Sequence, residues 1–230
     1  VLFNILKKLN YKWASNCFHL SYGMVELPEG KMKSREGTVV DADELLNSVV
    51  NEAKSLTSER GLLEELSQLE IFDICEKIGN SGLKYFLLKV DPKKKMSFNP
   101  KETIDLSGHT GPFIQYTYVR IKSLLNKSEE LKNEFMTEDL KLNFKELEVL
   151  KYISNFPDVL AQSAKELSPY LLANYIYTLV KSYNSFYQDH PVITEKEKDL
   201  RNFRIQMSKL VSVIIEKGMR ILGIEMPKRM

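Results

Sequence analysis

At 230 residues the chain can bury one large core or two modest ones, and a composition 43% hydrophobic and 28% charged excludes a disordered or collagen-like polymer. A formal net charge of +2 excludes a histone-like polycation but leaves room for a locally basic RNA-binding face. Two isolated cysteines, Cys17 and Cys75, point to a reducing compartment and exclude a disulfide framework. The scattered His19, His109 and His190 offer no zinc cluster, and no apolar run approaches the ~18 residues of a membrane span.

The chain opens on "VLFNILKKLNYKWA", already in mid-pattern. Leu2, Ile5, Leu6 and Leu9 predict one amphipathic helix over Val1–Ala14, and a start with Val inside a helix is expected of the C-terminal piece of a longer protein or of a processed chain. "CFHLSYGMVEL" has the Phe, Tyr and Val content of a buried strand. "GKMKSREG" then sets Lys31, Lys33 and Arg35 on alternate positions of a loop closed by glycine at both ends. "TVVDADELL" predicts a short extended stretch and a helix, capped by Asp41 or Asp43, running to about Leu56. The next helix carries Leu62, Leu66, Leu69, Phe72 and Ile78, with Gly79 as its expected stop. "DPKKKMSFNP", bracketed by Pro92 and Pro100, reads as a polar connection at a domain boundary.

The second half reads as helices throughout: "GPFIQYTYVRIKSLLNK", "FKELEVLKYISNF", "PDVLAQSAKEL", "SPYLLANYIYTLVKSYNSFYQ" and "TEKEKDLRNFRIQMSKLVSVIIEKGMRILG". Ser168 before Pro169 reads as an N-cap, and Thr194 with Glu197 as a capping box. The short turn at Asp189–Pro191 predicts two antiparallel helices. The fold class is therefore mainly α, a scrap of α/β followed by a helical bundle.

Three features bear on chemistry. The cations of the Lys31–Arg35 loop can close over a triphosphate, or simply form a solvated turn; no GxxxxGK[ST] pattern is present, so this is not a P-loop. Phe113, Tyr116, Arg120 and Leu124 recur on one helical face, as stacking on unpaired bases with a phosphate contact requires, or as a core with a snorkelling arginine requires. Tyr170, Tyr175, Tyr177, Tyr183, Phe186 and Tyr187 are many aromatics for one helix, suited to a bundle rim or to a core whose hydroxyls find partners. No general acid–base pair or nucleophile triad is legible, and Glu64, Glu65, Glu195 and Glu197 read as solvated helix faces.

Taken in order, "YGMVELPEGKMKSREGTVVDADELL", "LKYFLLKVDPKKKMSFNPKETIDLSGHTGPFIQYTYVRI" and "GMRILGIEMPKRM" resemble arginyl-tRNA synthetase, a class I synthetase, over essentially the whole chain. The resemblance implies that residues 1–105 are the end of a Rossmann-like α/β catalytic domain plus the stem-contact region. Residues 106–230 would be an all-helical anticodon-binding bundle. It makes Lys31, Met32, Lys33, Ser34 and Arg35 the KMSKS-type loop on the ATP phosphates, with Lys31 and Lys33 stabilising the transition state of adenylation. Ser34 stands where the generic signature has its second lysine. The "TGPxxQYxxxR" segment carries onto Thr110, Gly111, Pro112, Phe113, Gln115, Tyr116 and Arg120, and Phe113, Gln115, Tyr116, Arg120, Tyr187 and Met230 are the implied anticodon contacts.

ATP with Mg2+, arginine and tRNA-Arg are the implied partners of a full-length, monomeric, cytoplasmic enzyme with no membrane association. The HIGH-type signature is absent from these residues, so the chain alone is expected to form no arginyl-adenylate. Two other functions remain open at this point: a stand-alone helical RNA-binding module whose loop is a relic, and a helical scaffold that binds protein.

Overall fold

The computed structural model describes residues 1–26, 41–59, 66–128 and 140–230. Helix α1 spans only Leu2–Lys8; Asn10 takes a left-handed φ of 60°, and a 3-10 turn follows at Lys12–Asn16. The expected single helix over Val1–Ala14 is thus broken where asparagine, tolerant of that conformation, turns the chain. The expected buried strand is also corrected. Phe18, Leu20, Tyr22 and Met24 are exposed, and only Val25–Glu26 forms a strand, β1. Strand β1 pairs in parallel with β2 (Met96–Ser97), so the "DPKKKMSFNP" stretch is pinned rather than free. Phe98, donating its N–H to the Glu26 carbonyl at 2.8 Å, is wholly buried with Val49 and Leu83, and Phe86 meets it edge-on at 5.1 Å.

Helix α2 (Ala42–Glu59) begins as the sequence predicts, with the Asp41 carboxylate accepting the Asp43 N–H at 2.9 Å. Helix α3 (Gln68–Leu88) starts at a capping box in which Ser67 and Glu70 satisfy each other's backbone N–H groups. Gly79 does not stop this helix, which runs nine residues further. The glycine serves proximity instead: a Cβ there would lie 2.8 Å from Cα of Val50 on α2. Gly111, the first residue of α5 (Gly111–Ser128), meets α3 in the same way, since a Cβ would fall 2.3 Å from Oγ of Ser81. Between α3 and α5 lies the single turn α4 (Pro100–Thr103).

The remaining helices are α6 (Phe144–Lys165), α7 (Pro169–Asp189) and α8 (Lys198–Ile221). The two helices expected on either side of Pro157 are one, because α6 continues through that proline. Tyr175 of α7 donates to the Tyr152 carbonyl of α6 and stacks on Phe156, while Lys145 at the start of α6 reaches Ser185 and Asp189 near the end of α7, so α6 and α7 run antiparallel. Tyr183 donates to Ser208 at 2.9 Å while Ile176 meets Gly218, which makes α7 and α8 antiparallel, as the short turn predicts. Of the α7 aromatics, Tyr175, Tyr183 and Phe186 belong to the core. Burial, with nearby tyrosines adding, pushes the Tyr175 and Tyr183 hydroxyls up to about 12.

The start of α8 departs from the Thr194–Glu197 capping box. Glu197 is the N-cap, and the Glu195 carboxylate accepts the N–H groups of Lys196 and Glu197. Glu195 is not a solvated face, for it also takes Nη1 of Arg204 at 2.6 Å. Arg204 is buried, and its Nε donates to the fully buried Glu146 of α6 at 2.7 Å. Removing one member of a buried pair costs about 3–5 kcal/mol, because the partner's charge is stranded. Glu146→Leu, which leaves Arg204 with Glu195 alone, is therefore expected to lower the unfolding free energy from a urea titration by about 3 kcal/mol, the low end of that range. Lys145→Ala, at an ion pair whose Asp189 is half exposed, should leave the midpoint nearly unchanged.

Candidate nucleic-acid interface

Helices α5 and α7 lie side by side and parallel: Phe113 faces Tyr177, Thr117 faces Asn184, and Arg120 faces Tyr187. Where their C-terminal halves meet the end of the chain, an open cleft of ≈ 380 Å³ is lined by Tyr116, Arg120, Lys127, Tyr187, Ile193 and Met230 among others. That volume lies within the ~300–1,000 Å³ of small-ligand pockets. Four of the six residues expected to touch the anticodon, Tyr116, Arg120, Tyr187 and Met230, thus come together from three distant stretches of sequence.

The guanidinium of Arg120 is the centre of the cleft. Its Cζ lies 4.6 Å from the Tyr187 ring centroid and 6.0 Å from that of Tyr116, within cation–π range. Its Nη2 donates to Oδ1 of Asn184, whose Nδ2 donates to Oγ1 of Thr117 at 3.0 Å. The ring of Tyr116, on a residue 39% exposed, is open to solvent. The described lining includes two cations, Arg120 and Lys127, and no carboxylate side chain. Aromatic faces beside cationic side chains are what stacking on an unpaired base beside its phosphate requires.

The other two expected contacts lie elsewhere. Phe113 is half-buried, 5.7 Å from the Tyr177 ring, which in turn stacks on His109 at 3.7 Å. Gln115 is corrected from a surface contact to an interior staple. It is fully buried, and its Nε2 donates to the Lys77 carbonyl of α3 at 3.2 Å and the Glu225 carbonyl at 2.8 Å. With Lys84 donating to the Gly223 carbonyl at 2.7 Å, this lays the final segment along α3. Met230 there packs against Ala53, Ile74 and Ile78 and reaches the cleft. Lys31, Met32, Lys33, Ser34 and Arg35 lie outside the described residues.

Sequence reasoning missed Asn184, Lys127 and Ile193. Asn184 shares a face with Tyr187 three residues on, which was the available signal. Its pairing with Arg120, 64 residues away, has no trace in local spacing.

His109 closes the N-terminal end of the α5–α7 seam. The Tyr85 hydroxyl donates to the Ala173 carbonyl at 2.9 Å, so Nε2–H of His109 is the donor in the 3.0 Å bond to Tyr85. Burial, with the charge of Lys89 adding, pushes the imidazole down from 6.5 to about 4. A histidine depressed on folding contributes stability that is complete above pH 6.5 and lost as pH falls through about 4. Urea midpoints are expected to fall across that window, and His109→Gln should flatten this part of the profile.

The helical bundle is of a known class. The family described as DALR anticodon binding domain matches residues 114–230, and that described as tRNA synthetases class I (R), catalytic domain, matches residues 1–99. An arginine–tRNA ligase of Flavobacterium psychrophilum is 52% identical over 100% of this chain and 38% of its own length. One of Parabacteroides distasonis is 48% identical over 100% of this chain and 39% of its own. Among solved structures, Thermus thermophilus arginyl-tRNA synthetase superposes with a TM-score of 0.84 at 26% identity, over 100% of this chain and 38% of that one. The chain belongs to the arginyl-tRNA synthetase family and corresponds to its C-terminal part, spanning under two-fifths of the length of these relatives.

Proposed function

We propose that the chain serves an arginine–tRNA ligase, reading the anticodon arm of tRNA-Arg with its bundle and contributing a phosphate-binding loop to the ATP site. The observation that carries this reading is the cleft of Tyr116, Arg120, Tyr187 and Met230, where aromatic rings and an arginine converge without a carboxylate side chain in the described lining. A base stacks on a tyrosine ring, while Arg120 and Lys127 meet phosphate or base edges. Phe113, half-buried further along the α5–α7 seam, belongs to the same arm-binding face.

Residues 1–105 then act with the catalytic site and residues 106–230 with the anticodon. Arginine is first activated by ATP, its carboxylate attacking the α-phosphate and releasing pyrophosphate, and is then passed to the tRNA. Lys31 and Lys33, in a Lys-Met-Lys-Ser-Arg loop, neutralise charge developing on the phosphates in the first step, and Mg2+ travels with the ATP. The family's description as a class I catalytic domain over residues 1–99 supports this assignment. On its family resemblance, the enzyme to which these residues belong is read as a cytoplasmic monomer. No described helix is long and apolar enough to cross a membrane.

A titration of the chain with tRNA-Arg and a non-cognate tRNA tests the bundle. Arg120→Ala should weaken the cognate complex by about 1–3 kcal/mol, and equal affinity for both RNAs, unmoved by the substitution, would refute the reading. Arginine-dependent ATP–pyrophosphate exchange tests the other half. The 230 residues carry no HIGH-type signature, so no exchange above background is expected from them.

A further inference from the structure

Arg204 and Arg120 of the bundle are held in opposite ways. Arg204 sits between the carboxylates of Glu146 and Glu195, at 2.7 and 2.6 Å, and its charge is spent inside the protein. Arg120 is held by an amide and a ring: its Nη2 donates to Asn184, and its Cζ lies over the ring of Tyr187. Yet every one of those partners is neutral, and among the described residues no carboxylate pairs with it. A guanidinium only donates, so the amide must turn Oδ1 toward Arg120. Its Nδ2 is then left to donate to Thr117, which itself is buried and donates to the Phe113 carbonyl at 3.2 Å. The orientation of Asn184 is thus set from behind by α5.

We propose that Asn184 is a positioning residue for RNA binding: it fixes the Arg120 guanidinium at the rim of the cleft while leaving its charge uncancelled for a phosphate or base of the RNA. This rests on the reading of the cleft as the anticodon-arm interface. Two effects combine. Fixing a flexible side chain beforehand removes an ordering cost from binding. Choosing an amide over a carboxylate avoids a closed ion pair that the incoming phosphate would have to displace. An aspartate at this position would still accept from Arg120 and would draw the single Thr117 hydroxyl proton away from the Phe113 carbonyl, so Arg120 stays held while the local charge changes.

That isosteric change is the test. With the anticodon stem-loop of tRNA-Arg as the probe, Asn184→Asp is expected to weaken binding roughly tenfold or more and to flatten the salt dependence of log K by roughly 0.7, one single-strand phosphate contact. Its thermal midpoint should equal or exceed that of the unaltered chain. Arg120→Ala should lose affinity to a similar degree, and adding Asn184→Asp to it should cost little more. If Asn184→Asp binds like the unaltered chain while Arg120→Ala does not, Asn184 is not a positioning residue and the cleft reading stands. If affinity and thermal midpoint fall together, its role is structural only and the proposal is overturned. If the unaltered chain binds the stem-loop no better than Arg120→Ala does, the cleft reading fails and this proposal with it.

Discussion

Helix α3 is the wall on which the described chain is assembled, and it can be one because its middle turns are small. Gly79 admits the backbone of α2, and Gly111 lets the start of α5 come down on Ser81, each so closely that a Cβ on the glycine would collide. Such contacts fix where α5 starts and how it is rotated, and hence which of its residues look toward α7. The same wall carries the last residues of the chain, through Lys84 on the Gly223 carbonyl and the Gln115 amide bridging Lys77 and Glu225. Met230 therefore arrives at the cleft against α2 and α3, so elements from both halves of the sequence share in building one concavity.

Charge is distributed with the same economy. Inside the bundle, Arg204 and Glu146 tie α8 to α6 where no water can solvate either. At the cleft, Arg120 is fixed by an amide and two rings, which orient it without cancelling it. A buried pair gives cohesion, whereas a positioned and unneutralised cation gives a place for an anion. The two arginines differ in the charge of what surrounds them.

The sequence made the long helices legible, because α5, α7 and α8 repeat their apolar residues over many turns. It misread short, context-dependent elements. Phe18, Leu20, Tyr22 and Met24 have strand composition but lie exposed, since composition alone supplies no partner strand. Gly79 looked like a helix stop because a glycine that ends a helix and one that lets another backbone approach are the same letter. Pro157 looked like a break because proline removes a helical N–H, yet α6 runs through it. At the site, the stripe of Tyr116 and Arg120 was visible from spacing, Tyr187 was one of six aromatics on its helix until the family resemblance singled it out, and Met230 entered only through that resemblance. Gln115 was expected among the anticodon contacts only through the family motif, and the structure turns it inward onto carbonyls of α3 and the final segment.

The central claim is that one cleft, built by α5, α7 and the last residue, receives the RNA. Oxidative footprinting addresses it directly, since Tyr116, Tyr187 and Met230 are readily oxidised side chains that line it. Saturating the chain with the anticodon stem-loop of tRNA-Arg is expected to protect these three together. Tyr22 and Trp13, exposed near the other end of the chain, should keep their reactivity. Unchanged oxidation of Tyr116, Tyr187 and Met230 in a complex that demonstrably forms would contradict the account.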